Sequence, residues 1–378
     1  MIEALGRRAS LTVCTAAFAA SISSASCHPA TPRGKEALDG TPMNPPAVNN
    51  ARLDVQDASN SQPTHPEAMD LEASNEDAAT ALSDPMANHR DTKEELLALF
   101  EIKPASEKEK KTVMPDQFLQ RVFGPNGPSR MNQGNKAIAL HTISKEQCLA
   151  GLKNTVLQTS EQRAKCGAEN MVPVWIKGKE PWFCIDIFEF PNQACELPMV
   201  WTPPTNAKKV CELQGKRLCS QTEWNIACRA DPEGGSDRRY AYGDKLDLEI
   251  CNTNRGHSRP CDARSAKSAW ETCSTETEPS GSYPQCRSRF GVYDQHGNVA
   301  EVMMRREDDV IYSQLKGSAW FYNELAREPN EPIPESTPNK VGAYPDHCNF
   351  DPRWHVEKID DAWHVNYHLG FRCCKSIP

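Results

Sequence analysis

The chain has 378 residues, a length that allows two domains or one domain with a long tail. Its net charge is −8 and its pI is about 5.8. It therefore lacks the basic excess of a nucleic-acid-binding protein, and no nucleic-acid partner is expected. Hydrophobic residues make up 38% and the mean hydropathy is −0.65, so part of the chain is expected to stay unfolded.

The N-terminus has the pattern of an export signal. Arg7 and Arg8 precede a charge-free stretch, residues 9–27, with a short apolar run that ends in small residues. The run is too short to span a membrane as a helix. Cleavage before Cys27 would give a bacterial lipoprotein, and ordinary signal cleavage explains the sequence equally well. Residues 1–27 thus predict an exported protein, periplasmic or at the cell surface, with a lipid at Cys27 as its only expected membrane contact.

Residues 28–92 are rich in Pro, Ala, Asn, Ser, Asp and Glu and contain almost no large apolar side chains. Such a stretch cannot bury enough surface to offset the entropy that its chain would lose on folding. It is predicted to be a disordered stalk, a spacer that holds a domain away from an envelope surface.

A short helical extension is predicted over residues 93–169. One helix is expected at residues 93–101, where two glutamates precede leucines at positions 96, 97 and 99. A second helical pattern runs over residues 144–166 and is flanked by Cys148 and Cys166.

From Met171 onward the apolar runs are short, turn residues are frequent, and most tryptophans and cysteines occur. Ser220 is the expected N-cap of a helix, with Glu223 completing a capping box. Few long elements and many loops predict an α+β domain that depends on cross-links. The pattern predicts strands at residues 171–176, 182–190 and 311–321 and helices at residues 205–214 and 220–230.

Sixteen cysteines is a high count, and none lies between Cys27 and Cys148. Zinc sites usually show paired CxxC spacing, which does not occur in this sequence. Scattered cysteines at this density favour disulfides and an oxidising compartment. The fourteen cysteines from Cys148 onward are an even number, so all of them can pair, although spacing alone does not give the connectivity.

A series of short motifs follows in one order along the C-terminal half. The motifs are FCIDIFEFPN at 183–192, VCELQGKRLCSQTEWNIACRA at 210–230, YAYGD at 240–244 with CNTN at 251–254, FGVYDQHGNVAEV at 290–302, and KGSAW at 316–320 with GFRCC at 370–374. Each is weak alone, but in this order they resemble the formylglycine-generating enzyme, or sulfatase-modifying factor, family. The resemblance covers roughly residues 170–376, and residues 170–378 are taken as the family domain. It implies an irregular, loop-rich variant of the C-type-lectin-like architecture.

The resemblance also implies disulfides between the helix region and the C-terminal strand. A further pair is expected because both of its cysteines neighbour a member of the first pair, with a vicinal disulfide at 373–374 as the alternative. The expected pairs are Cys211 with Cys373, Cys228 with Cys348, and Cys219 with Cys374.

Active members of that family need two more cysteines, five positions apart, just after the GGSW-like residues. These cysteines bind copper and oxidise a substrate cysteine. Here Tyr322 stands at the first position and the second falls near Arg327. Soft thiolates select Cu(I), and a tyrosine hydroxyl with a pKa of ~10 does not replace them. Copper is therefore not expected.

The segment YDQHGNVAEV has the composition of a calcium site, because Ca²⁺ needs carboxylate and carbonyl oxygens from a turn. The family binds calcium at the corresponding positions, and a second family site is also represented. The alternative is a Gly-Asn turn with solvated acids. The expected ligands are the side chains of Asp294 and Glu301, the carbonyls of Gly297 and Val299, and, in the second site, Asn252 and the Thr253 carbonyl.

Trp320, Phe321 and Trp354 either line a substrate groove or belong to the core. The leading hypothesis is an exported, non-oxidase binding or scaffold module that binds an envelope protein, a peptide or a glycan. The alternative is an oxidase of the same family that modifies a protein or a small molecule through a rearranged site. A structural envelope protein without a ligand is a third class.

Overall fold

The computed structural model of the protein describes residues 83–100, 115–123, 127–128, 130–253, 255–321, 347–352 and 355–377. The predicted signal, the stalk up to residue 82, and Tyr322, Arg327 and Trp354 lie outside these ranges. The described residues all belong to one compact unit of the chain.

Two small sheets organise the domain. The first has the order β1-β2-β7-β3, all antiparallel, and the second has the order β5-β4-β6, with β4 and β6 parallel. Because β6 and β7 are separated by Arg372 alone, the chain passes from one sheet to the other at that residue. The strands are β1 (Met171–Val174), β2 (Phe183–Asp186), β3 (Arg217–Leu218), β4 (Ala300–Glu307), β5 (Val310–Lys316), β6 (Leu369–Phe371) and β7 (Cys373–Ser376).

The helices are short, and their starts follow the sequence closely. Ser220 accepts a hydrogen bond from the Glu223 backbone N–H, and the Glu223 carboxylate accepts one from the Ser220 N–H, so the predicted capping box is present. None of the helices among the described residues is long and apolar enough to cross a membrane. The α-helices are α1 (Lys93–Ala98), α2 (Pro115–Val122), α3 (Lys145–Leu152), α4 (Ser160–Cys166), α5 (Pro204–Leu213), α6 (Gln221–Arg229) and α7 (Ala266–Thr272), and Pro85–Asn88 form a 3-10 turn.

The predicted disordered stalk, residues 28–92, extends too far, because residues 83–92 pack on the domain. His89 is buried and its Nδ1 lies 2.9 Å from Nε2 of His141. The guanidinium of Arg90 lies 3.5 Å from the buried carboxylate of Glu196. Composition missed this segment because its anchors are polar side chains that find specific partners, and apolar content does not report such contacts.

The helical pattern at residues 144–166 is two helices, α3 and α4, where the sequence predicted one continuous pattern. Thr159 caps the second helix through its own capping box with Gln162, and Gly167 ends it in the left-handed conformation with φ of 57°. A side chain that caps the backbone inside a periodic stretch starts a new helix there.

The core lies between the sheets and the helices in several clusters. The largest two are built around β6 with α5 and around β2 with α6. Residues 93–100 contribute to the first, where the Phe100 ring lies 4.2 Å from Phe123 and 5.0 Å from Phe190. The predicted extension is therefore part of the folded unit.

Seven disulfides join the fourteen cysteines that follow Cys27. Those with the longest sequence separations, 162, 155 and 120 residues, would each stabilise the fold by about 5 kcal/mol in the chain-entropy view. The pairs are Cys148–Cys195, Cys166–Cys184, Cys211–Cys373, Cys219–Cys374, Cys228–Cys348, Cys251–Cys286 and Cys261–Cys273. The two pairs implied by the resemblance and the one expected from neighbouring positions are among them, and the predicted loop-rich, disulfide-stabilised α+β fold is confirmed.

Candidate functional site

The point where the two sheets separate contains a buried ion pair. Arg372, between β6 and β7, donates from Nε to both carboxylate oxygens of Glu301 at 2.8 Å. Its Nη2 donates to Glu301 and also to the carbonyl of Tyr293, the latter at 2.8 Å. The indole Nε1 of Trp224 donates to the same carboxylate at 2.7 Å. We call Arg372, Glu301 and Trp224 the sheet junction.

Two more buried carboxyl groups lie beside the sheet junction. Glu189 accepts from the Val299 N–H at 3.0 Å and from the Asn298 side-chain amide at 2.6 Å. Burial, together with the nearby charges of Asp294 and Glu301, raises the pKa of Glu189 well above its usual value. Three buried carboxyl groups, those of Glu301, Glu189 and Asp294, thus lie within electrostatic reach of the single guanidinium of Arg372.

Asp294 lies in the same place and accepts from the Gly281 N–H at 2.7 Å. Burial raises the pKa of its carboxyl to about 7, while that hydrogen bond and Arg372 act in the opposite direction. The carboxylate has too few donors around it to replace the water that it loses. A cation bound beside these carboxyl groups would favour their ionised form.

The turn at residues 294–299 brings the two predicted calcium segments together. Gly297 has a φ of 73°, and a Cβ there would lie 2.3 Å from the backbone oxygen of Asn252. Only glycine fits this close approach. The Asn298 N–H donates to the Asn252 carbonyl at 2.9 Å, so the segments at 252–253 and 297–299 lie in direct contact.

The donor set around this turn fits calcium in part. The side-chain oxygen of Asn252 is buried and has no hydrogen-bond partner, an arrangement that a hard cation would satisfy. Asp294 supplies a buried carboxylate that accepts from the Gly281 N–H. Both oxygens of Glu301, the other side chain predicted to bind calcium, accept from Arg372.

Two of the three residues that the sequence places either in a groove or in the core are buried. Trp320 and Phe321 are 0% and 2% exposed and pack with Trp201 and Tyr367. This arrangement matches the core alternative and leaves neither ring open to a ligand. Their burial follows from the aromatic contacts that surround them, with the Phe321 ring stacked 4.8 Å from His257.

One described cluster has the residue types of a soft-metal site. Nε2 of His296 lies 3.5 Å from Sγ of Cys228 and 4.0 Å from Sγ of Cys348. Those sulfurs are joined in a disulfide, so they are not thiolate ligands. The imidazole nitrogen accepts instead from the Ala241 N–H at 2.9 Å.

The sequence predicts no role for Arg372 or Glu189, although both belong to the buried charge cluster. Both fall inside recognised motifs, Arg372 in GFRCC and Glu189 in FCIDIFEFPN, but the motifs were interpreted through their cysteines and aromatic residues. The available signal was charge: buried strands with an arginine or a glutamate between apolar neighbours indicate a buried ionic partner.

The raised pKa of Asp294 predicts that Asp294→Asn stabilises the protein in neutral, calcium-free buffer. In the unfolded chain the carboxyl ionises near pH 4, and in the folded chain only near pH 7. Folding therefore becomes less favourable as the pH rises through this interval, by up to a few kcal/mol. The variant removes the buried charge and keeps the shape. Thermal unfolding in chelator should show a higher Tm than the parent protein at pH 8, with the difference shrinking at pH 4.5.

Asp308→Asn is the matched control for this prediction. Asp308 is exposed and has a φ of 50°, close to the 55° of Asp294, so an effect of asparagine on a left-handed turn appears equally in both variants. If Asp294→Asn lowers the Tm by the same amount at both pH values, the fold does not disfavour the ionised form of this carboxyl group, and the prediction is wrong.

Comparison with known families agrees with the motifs. Residues 189–377, half of the chain, match the sulfatase-modifying factor enzyme 1-like domain. β1 and β2 precede the matched region yet pair into the sheet that contains β7, so the folded domain begins before the match. A comparison of the sequence with curated proteins finds no match. On its family match the chain belongs to the family of sulfatase-modifying factor enzyme 1-like proteins.

Proposed function

We propose that the protein is an exported binding or scaffold module that uses the family fold without its copper-cysteine oxidation. One observation carries the proposal: all fourteen cysteines after Cys27 are held in disulfides. Copper-dependent oxidation of a cysteine needs thiolate ligands, and disulfide sulfur does not supply them.

The sequence at the family's copper positions supports the same proposal. Tyr322 and Arg327 occupy the stretch where the two cysteines are expected, and no cysteine occurs between Cys286 and Cys348. The missing thiols are therefore not supplied from elsewhere between residues 286 and 348.

Export is supported by the disulfides and by the N-terminal pattern. Seven disulfides in one domain persist in an oxidising compartment. The signal-like residues 1–27 and the polar stretch after them suit a domain displayed in the periplasm or at the cell surface, with Cys27 as the point of lipid attachment if the signal is of the lipoprotein type.

The oxidase test uses the mature protein with copper, oxygen and a sulfatase-type cysteine peptide. We expect no formylglycine product by mass spectrometry, and no alkylatable thiol among the cysteines from Cys148 onward in the protein unfolded without reductant. An active family member run in parallel shows that the assay works. Formylglycine formed by the protein, or two or more free thiols, would support the alternative oxidase function instead.

We further propose that calcium binds where the turn at 294–299 meets Asn252. The supporting observations are the unpartnered buried oxygen of Asn252 and the surplus of carboxyl groups around Asp294. Asp294 and Asn252 would supply side-chain oxygens, and Thr253, Gly297 and Val299 would supply carbonyls. Calcium would neutralise buried charge and fix two loops together, which is a structural role.

Calcium is expected to raise the Tm, because a ligand at ~100 times its Kd stabilises the folded state by ~2.7 kcal/mol. The response should be weakened in Asp294→Asn and kept in Asp308→Asn, since only the first replaces a charged carboxylate ligand with a neutral amide. Melting curves in calcium and in chelator provide the measurement. A Tm that ignores calcium in the parent protein removes the metal proposal and leaves the binding-module proposal standing.

A further inference from the structure

A polar groove of about 600 Å³ lies between the extension and the domain. Residues 155–162, which include the start of α4, form part of its lining, and residues 285–293 form another part. Arg238 and Tyr242 also line it. Residues 155–162 precede the matched family region, so part of this groove is built from the chain's own extension.

The groove is positively charged on an acidic protein. Its lining includes Arg238, Arg287 and Arg289 and contains neither aspartate nor glutamate. The whole chain has 51 acidic and 43 basic residues, so the charge of the groove is opposite in sign to the net charge of the chain. Such a concave patch attracts anions.

The partners of the three guanidinium groups show which of them are available. Arg289 forms an ion pair with Asp231 at 3.0 Å and donates to the Ser236 carbonyl. Arg287 has only a 3.4 Å contact to the Tyr293 hydroxyl, and Arg238 only a 3.5 Å contact to a backbone carbonyl. Among the described residues, no carboxylate lies within ion-pair distance of Arg238 or Arg287.

The neutral lining favours a sugar over a peptide. Thr155 and Gln285 line the groove with a hydroxyl and an amide, groups that bind sugar hydroxyls. The aromatic rings of Phe290 and Tyr293 are 5% and 1% exposed, so they offer no open apolar pocket for peptide side chains. Val156 is the large apolar side chain of the lining that is mostly exposed, at 77%.

We propose that this arginine groove, defined by Arg238, Arg287 and Arg289, binds an anionic oligosaccharide. Carboxylate or other oxyanion groups of the sugar pair with Arg238 and Arg287, because guanidinium groups bind such groups in a bidentate, charge-assisted way. Arg289, held by Asp231, shapes the site. This assignment deepens the proposed binding function and rests on it.

The experiment measures binding of tetragalacturonate to the mature protein by calorimetry in calcium-containing buffer. Maltotetraose is the neutral probe of the same length, and tetraglutamate is the peptide probe with the same number of side-chain carboxylates. We expect tetragalacturonate to bind, with an affinity that falls as salt rises, and maltotetraose not to bind. The double variant Arg238→Gln, Arg287→Gln should weaken binding by about tenfold or more.

The double variant Arg264→Gln, Lys267→Gln is the control, because both side chains are exposed, lie outside the groove lining, and lose the same two positive charges. It should change the affinity by less than twofold, and the Tm of every variant checks its folding. Binding that survives the double variant, no binding of tetragalacturonate, or stronger binding of tetraglutamate each overturns the proposal. The oxidase assay measures formylglycine and free thiols, and this experiment measures sugar binding. A failure of the sugar proposal is therefore distinguishable from a failure of the non-oxidase proposal.

Discussion

The guanidinium of Arg372 lies where the chain leaves one sheet and enters the other, and the domain depends on its contacts. It bonds the carboxylate of Glu301 on β4, the Tyr293 carbonyl in the turn, and the carbonyls of Asp186 and Ile187 at the end of β2. One fully buried side chain therefore joins both sheets. Because a buried charge without its partner is costly, separating the two sheets at this crossing would leave Arg372 and Glu301 unpaired.

The sheet junction also explains the charge balance around it. Glu189 and Asp294 lie close enough to Arg372 and Glu301 for their charges to matter, and burial raises the pKa of both. A second cation, Lys216, lies 2.7 Å from the buried Asp186 and serves that carboxylate. The acids without a cation of their own are thus Glu189 and Asp294, and Asp294 begins the turn at 294–299, where calcium is proposed to bind.

Local sequence signals predicted much of the fold. The strand prediction at 171–176 corresponds to β1, and Ser220 with Glu223 starts α6 as expected. The sequence predicts calcium ligands around residues 294–301 and no strand at residues 300–307. That segment is the central strand of its sheet. The arginine groove was not predicted either, because Arg238 and Arg287 come together only through folding, and no spacing rule connects residues 49 positions apart.

The double-mutant cycle of Arg372→Met and Glu301→Gln tests the central claim, that this buried pair holds the two sheets together. Each single variant leaves a buried group without its partner and should lower the free energy of unfolding by about 3–5 kcal/mol. The double variant removes both charges, so its cost should fall short of the sum by at least about 1 kcal/mol. The exposed pair Arg264 and Asp262 provides a reference cycle with a coupling below about 1 kcal/mol. Costs that add within about 0.5 kcal/mol at the buried pair would contradict the claim.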